Sequence, residues 1–153
     1  MADHTEAIQV VYDPDVVSYS SLLTSFWSQH RPREPAWSRQ YRSAVFVADD
    51  AERLAATRAR DVHARQGAVY TDIETAGPFT PAETYHQKYR LQRSDILMAE
   101  LRRFYPGEDG FVGSTVAMRL NAWLAGEPVD PDELRQTGLS QRGLAALRAE
   151  LDG

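Results

Sequence analysis

The chain has 153 residues, of which 42% are hydrophobic and 25% charged, a composition typical of one soluble globular domain rather than a disordered chain. Its net charge of −5 argues against a nucleic-acid-binding surface, because phosphate binding requires a clustered basic excess. The chain contains no cysteine, which excludes disulfides, thiolate metal sites and thiol catalysis within it.

The first predicted elements are a strand and a helix. Residues 6–12 are rich in β-branched side chains and predict a strand, which the pair Asp13-Pro14 ends. Ser18 is a suitable N-cap for a helix that continues to Gln29. Its apolar residues recur with helical spacing, so we expect them to form one core-facing stripe: Tyr19, Leu22, Leu23, Phe26 and Trp27.

The middle of the chain predicts two more strands around a second helix. After a proline-containing loop, residues 42–47 predict a strand. Asp49 or Asp50 then caps a helix over residues 52–66, which Gly67 ends. The alternation of residues 69–74 predicts a third strand.

The last part of the chain is predicted to be helical. A long helix is expected from Pro81 to Phe104, and helices over 115–125 and 140–151 follow. Pro106-Gly107 is the clearest boundary, so we predict a domain over residues 1–105 and a helical extension over 106–153. Strands that alternate with helices predict an α/β or α+β fold, with helices packed on a sheet.

The sequence gives little support for a metal site, a membrane span or secretion. The four histidines, His4, His30, His63 and His86, show no metal-ligand spacing, and we predict no metal site. No apolar run is long enough to cross a bilayer, and the N-terminus has no signal-peptide pattern. We therefore expect a cytoplasmic protein that binds neither membranes nor nucleic acid.

Three motifs carry a resemblance to a known enzyme family. They are the segment 4–14, the sequence Gln40-Tyr41-Arg42-Ser43-Ala44, and Gly77-Pro78-Phe79 followed by Tyr85-His86-Gln87-Lys88-Tyr89. By their order and spacing, the chain resembles the A type of peptide methionine sulfoxide reductase from residue 4 to about residue 90.

The resemblance implies a fold and a reaction. The fold is a ferredoxin-like α+β roll, with a mixed sheet flanked by helices. The reaction reduces the S epimer of methionine sulfoxide, free or in peptides, with no bound cofactor and with thioredoxin or another thiol as reductant. In that family a cysteine in a Gly-Cys-Phe-Trp motif attacks the sulfoxide sulfur, methionine leaves, and a sulfenic acid remains on the enzyme.

This chain departs from the family pattern in its catalytic segment. Gly-Cys-Phe-Trp is absent, so we expect the N-terminal strand and helix of the roll to be missing. A gene start placed too late and a true truncation both explain this. In addition, Ala36 occupies a position where many family members have aspartate, which removes one polar group from the expected pocket.

The resemblance also assigns residues to a substrate pocket. Tyr41 matches a family tyrosine that hydrogen-bonds the sulfoxide oxygen, although a strand-end tyrosine can simply pack its ring. Glu6 and His4 match a pair at the edge of the active-site strand, and they equally fit a solvent-facing strand edge. Gln40 is counted with the pocket, and we expect it and Arg42 to support Tyr41.

Two further residues, Tyr85 and His86, are pocket candidates at the start of the long helix, where aromatic residues more often anchor the helix. Phe26 and Trp27 resemble a methyl-binding cage, but their helical spacing predicts core residues. The residues outside the pocket have structural predictions only: His63 is expected to be exposed, and Trp123 to pack the tail.

The functional prediction follows from both parts of the argument. We expect a member of the reductase family whose chain, lacking the nucleophilic cysteine, is inactive as given. The alternative is a non-catalytic, truncated relative that binds oxidised-methionine peptides or a protein partner. A third interpretation, an unrelated interaction domain with accidental matches, is disfavoured by three ordered motifs.

Overall fold

The computed structural model describes residues 4–152 and divides the chain into two compact units, Met1–Thr80 and Pro81–Gly153. Within residues 4–152, no helix combines the length and the apolar character needed to cross a membrane. The predicted boundary at residues 105 and 106 concerns the extent of the family domain, and it stays a prediction.

The first unit is built on a strand–helix–strand motif preceded by a helix. Its elements are α1 (Tyr19–Gln29), β1 (Ala44–Val47), α2 (Asp50–Ala64) and β2 (Asp72–Thr75). The two strands are parallel, with Ala44 opposite Asp72 and Val47 opposite Thr75. The predicted caps are confirmed, because the side chain of Ser18 accepts the N–H of Ser21 and that of Asp49 accepts the N–H of Glu52.

Helices α1 and α2 cover one face of this small sheet and leave the other face uncovered. Val45, Val47 and Ile73 pack with α1 and α2 residues around a core that contains Leu23, Trp27 and Ala56. Successive strand residues point to opposite faces, so Ala44, Phe46, Asp72 and Glu74 belong to the other face. Phe46 is exposed there. We call this face, which α1 and α2 do not cover, the open face.

The predicted first strand and the predicted mixed sheet are wrong for the part of the chain that the structure describes. Residues 6–12 form no strand, and the sheet within residues 4–152 has two parallel strands. Glu6 donates its N–H to the carbonyl of Gln40 over 2.8 Å, but Ile8 and Val11 are 88% and 93% exposed. β-branched residues favour an extended backbone, yet a strand also requires a partner strand, and none lies beside this segment.

The second unit is helical and has its own core. Two 3₁₀ turns, Thr84–His86 and Leu91–Arg93, lead into five helices among the described residues: α3 (Asp95–Phe104), α4 (Glu108–Val112), α5 (Thr115–Trp123), α6 (Pro131–Arg135) and α7 (Gln141–Leu151). Buried apolar residues from the second 3₁₀ turn and from α3, α4, α5 and α7 form one cluster: Leu91, Leu97, Met98, Leu101, Phe111, Ala117, Leu120, Trp123 and Leu147. Trp123 thus packs inside this helical core.

The long helix predicted from Pro81 is wrong in its first half. Lys88 has a φ of 52°, a left-handed conformation that an α-helix cannot contain, and the helix starts at Asp95. Ser94 caps it by accepting the N–H of Leu97. The short helices α4 and α6 were not predicted, because five residues are too few to show helical periodicity.

Glu100 joins two helices of the second unit that are distant in sequence. Its carboxylate accepts the backbone N–H of Ser140 over 2.9 Å and also accepts the Ser140 hydroxyl. Ser140 is the N-cap of α7, so a carboxylate from α3 lies at the N-terminal end of that helix. A negative charge in this position is stabilised by the free N–H groups and by the helix dipole.

Candidate functional site

The pocket residues predicted from the sequence fall in both units. His4, Glu6, Gln40 and Tyr41 belong to the first unit, whereas Tyr85 and His86 belong to the second. Within the first unit, Glu6 and Gln40 are hydrogen-bonded to each other, and Tyr41, the next residue after Gln40, has a ring contact with Trp37.

Glu6 and Gln40 form a double link between the N-terminal segment and the loop before β1. The side-chain amide of Gln40 donates to the Glu6 carboxylate over 2.7 Å, and the Glu6 N–H donates to the Gln40 carbonyl over 2.8 Å. The neighbouring Thr5 hydroxyl donates to the carbonyl of Arg39 over 3.2 Å. The extended segment is therefore fixed at residues 5 and 6, and His4 lies exposed beside it.

Tyr41 forms an aromatic pair with Trp37. Their ring centroids are 4.7 Å apart and their planes differ by 26°, a stacked arrangement. Tyr41 is 47% exposed and Trp37 is 82% exposed, so the pair presents a large aromatic surface to solvent. Such a surface binds methyl groups and rings through dispersion, and the Tyr41 hydroxyl adds a hydrogen-bond donor.

Arg42 connects the N-terminal segment to the open face of the sheet. Its guanidinium donates to the Thr5 hydroxyl over 2.9 Å, to Asp72 over 3.1 Å, and to both oxygens of Glu74 over 2.5 and 2.8 Å. The same group lies 5.8 Å from the centroid of the Phe46 ring. Arg42 thus links Thr5 to Asp72 and Glu74, with a side chain that is only 15% exposed.

The ion pair fixes the charge state of Glu74. The hydrogen bond from Arg42 lowers the pKa of the Glu74 carboxyl below its usual value, and the same bond raises the pKa of Arg42. Glu74 is therefore ionised near neutral pH, so its carboxylate accepts hydrogen bonds but has no proton to donate. It can orient Arg42, and it is not a suitable general acid.

Tyr19 is a second tyrosine of the first unit with altered ionisation. Burial, followed by the charges of Glu52 and the phenol of Tyr12, raises the pKa of Tyr19 to about 12. Its hydroxyl is buried and has no hydrogen-bond partner among residues 4–152. Tyr19 is therefore neutral at physiological pH, and its role is in packing α1.

The remaining pocket candidates lie in the second unit and are exposed. The rings of Tyr85 and His86 are 4.2 Å apart between centroids, and His86 Nε2 lies 4.0 Å from Glu83. They occupy a 3₁₀ turn rather than the long helix that the sequence predicted. Their assignment to the pocket stays a prediction.

The histidines have structural surroundings that the sequence did not reveal. The ring nitrogens of His30 lie 2.8 Å from the Phe26 carbonyl and 2.9 Å from the Thr71 hydroxyl. The expectation that His63 is exposed is wrong, because its ring stacks on Trp27 at 4.5 Å and is partly buried. Trp27 is buried, as its helical spacing predicted. Among the described residues, no three histidine, aspartate or glutamate side chains are grouped to hold a metal.

We refer to Glu6, Trp37, Gln40, Tyr41 and Arg42 as the aromatic-edge site. The sequence predicted Glu6, Gln40 and Tyr41 as pocket residues and Arg42 as a support for Tyr41, and these assignments stay predictions. Sequence reasoning missed Trp37, Asp72 and Glu74. The spacing of Asp72 and Glu74, two acidic residues on one face of a strand, is a signal that could have suggested a basic partner.

Comparisons with known proteins agree on one family. A model of the family "Peptide methionine sulfoxide reductase" matches residues 1–111. Peptide methionine sulfoxide reductase A5 of Oryza sativa subsp. japonica is 37% identical over 133 residues, which cover 82% of this chain and 52% of that protein. Peptide methionine sulfoxide reductase MsrA of Methanococcoides burtonii is 42% identical over 95 residues, which cover 56% of this chain and 62% of that protein.

The extent of these alignments adds two facts. Peptide methionine sulfoxide reductase of Drosophila melanogaster is 35% identical over 130 residues, and like the rice protein it aligns with 82% of this chain. Since 82% of 153 residues is about 125, these alignments must include residues beyond position 111, where the family match ends. The chain spans about half the length of the rice and fly relatives that it matches.

Proposed function

Since this chain belongs to the peptide methionine sulfoxide reductase A family, we propose that its aromatic-edge site binds the methionine S-sulfoxide group for reduction to methionine. We propose further that the chain as given binds this group without turning it over. The observation that carries the proposal is the combination of an exposed Trp37–Tyr41 pair with a sequence that has no cysteine.

The chemistry of a sulfoxide matches the groups at the site. The sulfoxide oxygen is a strong hydrogen-bond acceptor, and the Tyr41 hydroxyl supplies an exposed donor beside it. The methyl group on sulfur is small and apolar, and it packs favourably on an aromatic ring. Gln40 and Glu6 hold the loop that carries Tyr41, so the donor is oriented before a ligand arrives.

The absence of turnover follows from the reaction itself. Reduction of a sulfoxide by this route needs a thiolate that attacks sulfur and keeps the oxygen as a sulfenic acid, which other thiols then reduce. Serine is a far weaker nucleophile toward this sulfur and cannot form a sulfenic acid. The chain therefore has no group that can start the reaction.

The other family attributes enter as parts of the same proposal. We assign the first unit to part of a ferredoxin-like roll, and we place the family domain over residues 1–105. For a complete reductase of this kind we expect no bound cofactor, thioredoxin or another thiol as reductant, and the cytoplasm as the compartment. Its role would be repair of oxidised methionine.

We expect no dithiothreitol-dependent loss of methionine S-sulfoxide when the 153-residue chain is incubated with the free amino acid or with an oxidised peptide. The physical reason is the missing thiolate. The measurement is chromatographic quantification of both methionine and its sulfoxide. Turnover that co-purifies with the chain and disappears in the Tyr41→Phe variant would overturn the proposal of inactivity.

Binding is the second test, and it distinguishes two tyrosines of the first unit. Removing the hydroxyl in Tyr41→Phe is expected to weaken binding of a methionine S-sulfoxide peptide by about tenfold, the effect of one lost hydrogen bond. Tyr70→Phe is the matched control, since Tyr70 is 49% exposed against 47% for Tyr41 and lies outside the aromatic-edge site. Isothermal titration calorimetry measures both variants, and equal losses would contradict the assignment of Tyr41.

The alternative function is that of a non-catalytic relative, which binds oxidised-methionine peptides or a protein partner as its final role. The exposed apolar side chains of the first unit, including Ile8 and Val11, favour a partner of some kind. Calorimetry tests this alternative, because the absence of binding to a methionine S-sulfoxide peptide would exclude oxidised-methionine peptides as the ligand.

A further inference from the structure

We propose that Trp37 is a specificity residue that binds the side chain next to the oxidised methionine in a peptide, so that the site prefers sulfoxides flanked by an aromatic residue. This inference rests on the proposed function of the aromatic-edge site. It extends that function from a single sulfoxide group to the class of peptide that carries it.

The exposure of Trp37 is the first observation. Tryptophan is highly buried on average, and here 82% of its surface is open to solvent. Trp27 and Trp123, the other two tryptophans of the chain, are buried in the cores of their units. A large exposed ring is a typical energetic centre of a binding surface, because covering it removes much apolar area from water.

The position of the ring is the second observation. The Trp37 and Tyr41 centroids are 4.7 Å apart, and consecutive residues of a peptide are separated by about 3.8 Å between Cα atoms. If the sulfoxide oxygen binds the Tyr41 hydroxyl, a neighbouring residue of the same peptide therefore lies within reach of the Trp37 ring. Free methionine sulfoxide has no such residue.

The third observation is that hydrogen bonds fix the loop that carries Trp37 and Tyr41. The loop that holds both rings is fixed at its end by the Glu6–Gln40 pair and by the contacts of Arg42 with Thr5, Asp72 and Glu74. A rigid aromatic pair loses little conformational freedom when a ligand stacks on it, so its apolar area contributes more fully to affinity.

The test compares two oxidised peptides that differ only in the flanking residues. They are acetyl-Phe-Met(S-oxide)-Phe-amide and acetyl-Gly-Met(S-oxide)-Gly-amide, titrated into the full chain by calorimetry. We expect the phenylalanine peptide to bind about five- to tenfold more tightly, as one or two aromatic contacts provide. Trp37→Ala is expected to remove this preference, so that the phenylalanine and glycine peptides bind the variant with affinities equal within about twofold.

Controls make each result decisive. Trp37→Phe keeps a ring and is expected to retain most of the preference, and circular dichroism checks that both variants keep the fold. The inference is overturned if the preference survives in Trp37→Ala. It is also overturned if the unoxidised acetyl-Phe-Met-Phe-amide binds as tightly as the oxidised phenylalanine peptide. Equal binding of both oxidised peptides overturns it while leaving the proposed function intact, whereas binding of neither peptide overturns both.

Discussion

Arg42→Ala is expected to lower the thermal stability of the first unit by roughly 10 °C, far more than an ordinary surface substitution. The substitution removes the donor of four hydrogen bonds and leaves Asp72 and Glu74, two carboxylates on the same face of β2, without their shared cation. It also removes one of the hydrogen bonds that fix Thr5 in the N-terminal segment. Sulfoxide binding is expected to fall together with stability.

Two other arginine substitutions sharpen this prediction. Arg42→Lys keeps the charge but loses the planar fork that contacts both oxygens of Glu74, so we expect an intermediate loss of stability. Arg31→Ala breaks an exposed pair with Glu34 in the same unit and is expected to change the melting temperature by no more than about 2 °C.

Thermal denaturation measures the melting temperature. Hydrogen–deuterium exchange then shows which unit is destabilised, because it reports on the two units separately. Peptides from β1 and β2 are expected to exchange faster in Arg42→Ala, while peptides from α3 and α5 keep their wild-type rates. Unchanged exchange in the strands would show that the hydrogen bonds of Arg42 do not stabilise β1 and β2.

The contrast between Arg42 and the helix caps shows what the sequence can predict here. Ser18 and either Asp49 or Asp50 were expected to cap helices, and Ser18 and Asp49 do so, because a cap is a contact between residues two or three apart. The contacts of Arg42 with Glu74 and of Glu100 with Ser140 span 32 and 40 residues. Pairings at that separation depend on the tertiary fold, so the local sequence does not identify both partners.

The errors in predicted elements have the same origin. Residues 6–12 have the composition of a strand, but a strand is completed by a partner that the segment's own sequence does not specify. In the aromatic-edge site, Tyr41 and Gln40 were predicted because they belong to a recognisable motif. Trp37 belongs to no motif, and its exposure and its stacking on Tyr41 became visible only in the structure.

In the second unit, Glu100→Ala is expected to destabilise the packing of α7 on α3 by about 2 kcal/mol, the usual contribution of a hydrogen bond to a charged group. The variant leaves the N–H and hydroxyl of Ser140 without the carboxylate that accepts both. The free energy of opening, measured from the slowest-exchanging amides of α7, is the appropriate quantity. An unchanged value would contradict the proposed link.

Gly143 provides an independent probe of the same link. A Cβ at Gly143 would lie 2.5 Å from Glu100 Oε2, so Gly143→Ala must displace the carboxylate from Ser140. Alanine normally stabilises a helix by roughly 0.5–1 kcal/mol relative to glycine, and here we expect a net loss instead. Gly110→Ala in α4 is the matched control, because its Cβ would meet Tyr105 at an ordinary 3.8 Å, and it is expected to be neutral or stabilising.

The pH dependence of this unit follows from the same carboxylate. The hydrogen bond from the Ser140 hydroxyl lowers the pKa of Glu100 below its ordinary value of 4.5, with further help from backbone N–H groups and Arg103. A carboxyl whose pKa is depressed by folding contributes its full stability above 4.5 and loses it as the pH falls through the folded-state pKa. Wild-type α7 is therefore expected to lose more protection between pH 6 and pH 3 than the Glu100→Gln variant, whose amide does not titrate over that range. Parallel losses in the two proteins would place the acid sensitivity of the second unit on other carboxyl groups.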